Sequence, residues 1–143
     1  MSGLSKYLAF ALFNMTLNPV RSAFEPPAGL WLALHTAAPS DSTYGNEATI
    51  GGYARQRINS LSASALPEDP ACEVLSSVTN GSAIVFPAST SEAGQTITHW
   101  AIWDTQAVGD GNVLVSGELG SPRLVSLADE VVVPEQAVSI LIK

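Results

Sequence analysis

His35 and His99 are the two imidazoles of the chain, so acid–base work near neutral pH, or a nitrogen-ligated metal, has to use one or both of them. Glu47 and Asp104 are the carboxylates expected to reach them, as a partner in proton transfer or as a further ligand. The spacing argues against either use. No H-x-x-x-H, H-E-x-x-H or D-x-D pattern occurs, and these are the spacings that bring ligands together on one element. Each histidine instead belongs to an apolar stretch, where a hydrogen-bonded structural histidine is the ordinary occupant.

Nucleophilic chemistry has as little support. Cys72 is the single cysteine, so an intramolecular disulfide and a four-cysteine zinc site are both excluded. Glu73 beside it disfavours the thiolate that a nucleophile needs. There is no G-x-S-x-G elbow. Gly109-Asp110-Gly111-Asn112 lacks the alternating oxygen ligands and distal glutamate of a calcium loop, and Gly and Asn in that order suit the positive φ of a hairpin turn. The expectation is a protein with no catalytic residues, no metal and no cofactor.

Binding by charge is also constrained. Six Lys plus Arg face thirteen Asp plus Glu, a net charge of −7, and no basic cluster exists to track phosphates, which excludes direct nucleic-acid binding as the expected role. Arg55 and Arg57, in Tyr53-Ala54-Arg55-Gln56-Arg57, are the one close pair of arginines. At strand spacing Tyr53, Arg55 and Arg57 share a face, so the arginines can pair with carboxylates of a neighbouring subunit, or with Glu47 or Asp104 of the same chain. Trp31, Trp100 and Trp103 would serve a carbohydrate-binding module or small hydrolase, but they alternate with apolar strand neighbours, and core packing accounts for at least two of them.

At 143 residues the chain fits one domain. Hydrophobic residues make up 46% and charged residues 13%. So low a charge density leaves apolar and small polar groups to cover a free monomer, and this points to surface shared with other subunits. Residues 4–15 place Leu4, Tyr7, Leu8, Ala11, Leu12 and Met15 at helical spacing. Ser2 or Ser5 is the expected cap, and Asn18-Pro19 the stop. The opposite face carries Ala9, Phe10 and Phe13, so packing on two sides is expected. Lys6 before an apolar run resembles the start of a signal peptide, but the helical spacing and the shortness of that run favour a structural helix, and no segment is long enough to cross a membrane.

The rest reads as short strands. Residues 30–35 form a continuous apolar run that suits a strand buried on both faces. Residues 53–58, 82–86, 97–103, 112–117, 123–127, 130–133 and 137–142 follow, with the 97–103 and 112–117 pair forming a hairpin. Residues 36–52 and 59–71, rich in Gly, Pro, Asn and Ser, read as long loops. The sum is a mainly β domain, an antiparallel β-sandwich of jelly-roll type over residues 29–143 with one N-terminal helix in residues 1–18.

Several motifs in this order carry a family resemblance. Gly29-Leu30-Trp31-Leu32-Ala33-Leu34-His35-Thr36-Ala37-Ala38-Pro39, Gly45-Asn46-Glu47 and Gly51-Gly52-Tyr53-Ala54-Arg55-Gln56, together with Thr98-His99-Trp100-Ala101-Ile102-Trp103-Asp104 and Asn112-Val113-Leu114-Val115-Ser116-Gly117-Glu118-Leu119, resemble a family of small tailed-bacteriophage virion proteins, often described as tail-fibre or minor structural proteins. The resemblance implies a non-enzymatic structural protein of the phage particle, with no catalytic residues to carry over. Within the particle, a compact domain without heptads or repeats suggests a capsid cement or decoration protein; a tail or tail-fibre-associated protein is the alternative. Expected partners are other copies, most simply in a dimer, and the major capsid protein or tail proteins of the same phage. Leu4, Tyr7, Leu8, Phe10 and Phe13 are the expected contacts between copies. Arg55 and Arg57, with the two long loops, are the expected contacts to the particle.

Overall fold

The computed structural model describes residues 3–18, 26–40, 45–65 and 76–142. The elements run β1 (Gly3–Leu4), α1 (Lys6–Thr16), β2 (Trp31–His35), β3 (Gln56–Arg57), β4 (Leu61–Ala65), β5 (Ser76–Asn80), β6 (Ile84–Val85), β7 (Gln95–Trp103), β8 (Val113–Val125), β9 (Val132–Val133) and β10 (Ser139–Ile142). The fold is mainly β, with antiparallel sheets and a single helix among the described residues. A five-stranded sheet has the order β1-β8-β7-β2-β3, a three-stranded sheet β10-β5-β4, and β6 pairs with β9. Among the described residues the strands are thus divided unequally over three sheets.

Ser5 sets the start of the helix. Its extended backbone (φ −67°, ψ 159°) turns the chain, its hydroxyl accepts the Leu8 N–H at 3.1 Å, and its own N–H donates to the Leu114 carbonyl at 2.9 Å. The cap that satisfies an orphan helix donor therefore also pins α1 to β8. Leu4 belongs to β1, where it pairs with Val115, so the helix begins two residues later than the apolar spacing predicts. Leu8 leans on the core, but no residue of α1 is buried.

β2 justifies its apolar composition. It lies between β7 and β3, and Leu32, Ala33, Leu34 and His35 are all buried. The pairing of β2 with β7 sets Trp31 opposite Trp103, Leu34 opposite Trp100 and His35 opposite His99. Alternation along the strands then sorts the core. Leu32, Leu34, Trp100, Ile102 and Val115 join Phe86, Ile97 and Val125 in the main cluster, while Ala33, Ala101, Trp103 and Val113 form a second one.

β8 merges two predicted strands. Its register with β7 steps from His99↔Glu118 to Ile97↔Arg123, so residues 119–122 stand opposite Thr98 alone. Gly120 weakens a ladder and Pro122 has no N–H to give one, which makes this the natural place for a wide bulge. The 53–58 strand shrinks to Gln56–Arg57, which lengthens the first of the two long loops to residues 36–55, while the second is interrupted by a strand. From residue 45 onward the first is docked on the sheet: Thr36 N–H donates to the Asn46 carbonyl at 2.7 Å, Ala48 N–H to the Leu34 carbonyl at 2.9 Å, and Ala48 and Ile50 are buried. The second contains β4, which pairs with β5 in a hairpin that the Ser- and Ala-rich sequence conceals. Residues 41–44 and 66–75, with Cys72, lie outside the described residues.

Candidate functional site

The chemistry-bearing side chains converge on one side of the five-stranded sheet and are closed off there. Glu47 arrives on the docked segment as an isolated bridge to His35, held by Asn46 at φ 72°. Its carboxylate takes a bidentate fork from Arg55, Nε to Oε1 and Nη2 to Oε2, both at 2.8 Å. The Tyr53 hydroxyl donates to Oε1 at 3.1 Å and accepts the Leu34 N–H at 3.0 Å. The remaining nitrogen of Arg55, Nη1, donates to the carbonyls of Thr105 and Asp110, each at 3.0 Å. Its guanidinium carbon lies 3.9 Å from the centre of the Trp103 ring. Four of the five N–H donors of the guanidinium are thereby used, and the cation also meets an aromatic face, which is the arrangement that makes a buried charge tolerable.

The expected role of Arg55 as an anchor for a partner's carboxylate is corrected by this geometry. The residue is 1% exposed, and its partners are Glu47 and the turn between β7 and β8. Arg57, by contrast, is exposed in β3. The two cations do not share a face, because the segment is a regular strand only at residues 56 and 57.

The histidines do meet, as cross-strand neighbours, but each is committed. His35 is fully buried, and its Nε2 accepts the Trp103 indole N–H at 3.4 Å under a nearly parallel ring, 10° between planes. The proton of the neutral ring then sits on Nδ1, which has no hydrogen-bond partner. Burial lowers the His35 pKa from 6.5 to about 4, reinforced by Arg55 and His99 and opposed by Glu47. The hydroxyl of Thr98 donates to the Thr36 carbonyl at 2.8 Å, so it accepts from His99 Nδ1, also at 2.8 Å. Burial, and then the charge of Glu47, raise the Tyr53 pKa far above its usual 10. Asp104 is equally occupied: its two oxygens receive the Asn112 N–H and side-chain amide at 2.7 and 2.8 Å. A carboxylate–imidazole pair open to substrate is not formed by these residues.

The hairpin turn that Arg55 grips has its own constraint. Gly111 has φ +84°, and a Cβ there would fall within the Thr105 side chain and 2.5 Å from Asp104 Oδ1. Gly109 has φ +80° but open space around it. Gly111→Ala is therefore expected to cost about 2 kcal/mol and Gly109→Ala about 1 kcal/mol, which urea unfolding of the two variants checks.

Two surfaces remain. The tryptophans form no platform, since Trp100 and Trp103 are buried in separate clusters; this removes the basis of the carbohydrate-binding alternative. An apolar groove of about 450 Å³ lies over Leu32, Leu34 and Trp100, walled by the 119–122 bulge and by residues 131–134. The larger feature is α1 with β1. Leu4, Tyr7, Phe10 and Phe13, four of the expected contacts between copies, are exposed, Leu8 is turned inward, and Leu12, Met15 and Leu17 join the exposed set. Leu17 was legible as the next position after Phe13 at i, i+4, just before the Asn18-Pro19 stop.

No curated protein matches the chain at a significant level. A protein-family model described as "Podophage GP4 fiber I protein gp80" matches residues 3–141. That span includes α1, the paired sheets and the Glu47–Arg55 clamp, and the chain accordingly belongs to this family of tailed-phage virion structural proteins.

Proposed function

We propose that the protein is a tail-fibre-associated structural component of a podophage particle, acting through protein–protein contact. The observation that carries this reading is the family match over residues 3–141, whose description names a fibre. It favours the tail over capsid decoration, the location that compactness and the lack of heptads suggested. The site geometry supports a contact role, because Glu47, Tyr53, Arg55 and Asp104 are spent on holding a loop and a hairpin to the sheet. What the surface offers instead is apolar area, and repeated weak contacts on a symmetric particle gain from multivalency. Other tail proteins of the same phage are the proposed partners.

Gold-labelled antibody raised against the protein and applied to purified virions tests the location. Label on the tail fibres is expected. Label distributed over the capsid shell would restore the decoration reading and overturn this one.

A further inference from the structure

The first fifteen described residues carry more exposed apolar surface than a free helix–sheet unit needs. Leu4, Tyr7, Phe10, Phe13, Met15 and Leu17 are 40–70% exposed, and Leu12 is 38% exposed. Whole aromatic side chains present ~150–250 Å² each, so this half-exposed set amounts to an area on the order of the ~800 Å² that each partner contributes to a standard interface. Tyr7, Phe10, Phe13 and Leu17 follow one another at three- and four-residue spacing along one side of α1, with Leu4 of β1 just before them and Ser5 pinned to β8 between; Leu12 and Met15 lie on the Leu8 side of the helix.

We propose that this face, β1 with α1, is the interface between two copies of the chain, packed helix against helix about a two-fold axis. A two-fold contact sets a patch against itself, so the patch must be self-complementary. This one is: residues 3–18 contain a single charged side chain, Lys6, and present no block of like charge to its copy. A differently charged partner would find little here to recognise. The polar side chains toward the helix end have acceptors within the helix. Thr16 Oγ1 donates to the Leu12 carbonyl at 2.6 Å, and Asn18 Nδ2 to Asn14 Oδ1 at 3.0 Å. Covering them therefore strands few hydrogen-bonding groups. Phe10, Phe13 and Leu17 recur at three- and four-residue spacing, which is the seam that two helices use to interdigitate.

Sedimentation velocity of the full chain between 1 and 200 μM is the test. A dimer is expected for the wild type, with its dissociation constant raised at least ~100-fold by Phe10→Glu combined with Phe13→Glu. Neither side chain is buried in the monomer, so the circular dichroism spectrum of the variant should match the wild type. Amide hydrogen exchange in residues 6–17 of the wild type, slowing as concentration rises, supplies a second readout that needs no substitution. A wild type that stays monomeric at 200 μM, a dimer unaffected by the double substitution, or exchange independent of concentration would each overturn the proposal.

Discussion

Arg55→Ala is expected to lower the unfolding free energy by about 3–5 kcal/mol, because it leaves the Glu47 carboxylate buried without its counter-ion. The loss reaches further than one ion pair. Arg55 donates to Glu47 on one side and to the Thr105 and Asp110 carbonyls on the other, so its removal frees the docked 45–52 segment and the β7–β8 turn together. Glu47→Gln, which keeps the shape but not the charge, should cost less than Arg55→Ala while still weakening the fork. Arg55→Lys should rescue little, since an ammonium cannot span four acceptors in one plane. Arg57→Ala, at an exposed position, should lie within about 0.5 kcal/mol of wild type. Thermal unfolding reads all four; for a chain of this length the first corresponds to a fall of roughly 10–20 °C in Tm. An Arg55→Ala protein that melts within a few degrees of wild type would show that the clamp is not what holds these segments.

Mild acid should act on the same region through His35. Its pKa is about 4 in the folded protein against 6.5 for the free side chain. Between those values the unfolded chain takes up a proton that the folded chain refuses, so stability rises with pH across this window. The contribution is complete above about pH 6.5 and is lost progressively as the pH falls to about 4, reaching about 3 kcal/mol at 1.36 kcal/mol per unit. Urea unfolding at pH 7, 5.5 and 4 should show the decline, and His35→Gln should flatten it between pH 6.5 and 4. An unchanged slope in that variant would assign the acid sensitivity to the carboxylates instead.

How much of this was written in the sequence depends on how local the cause is. The apolar run of β2, the β7–β8 hairpin and the capped helix are set by neighbouring residues, and each was legible, with the helix displaced only where Leu4 found a strand partner. β4 and β5 were not, because their Ser, Ala and Thr residues carry neither strong alternation nor bulk, and their pairing is decided by the partner strand. The same reasoning separates the candidate residues. That Arg55 would need a carboxylate followed from charge. That Glu47 would win it, with both buried beneath Trp103, depended on a register between distant segments, His35 against His99 and against Glu47. The bulge at residues 119–122 announced itself through Gly120 and Pro122, yet it looked like a break between two strands rather than an excursion within one.

The gripped turn has a practical corollary. Arg55 and Asp104 fasten its stem through Thr105, Asp110 and Asn112, while Val108 at its tip is half exposed and Gly109 has empty space beyond its Cα. A foreign peptide spliced between Ala107 and Val108 would interrupt one turn bond, from Asp110 N–H to the Ala107 carbonyl, but would be carried outward by a stem still fastened through Arg55 and Asp104. On a protein of the phage particle, that tip is the place to display an affinity tag, an epitope or a fluorophore site without loosening the domain beneath.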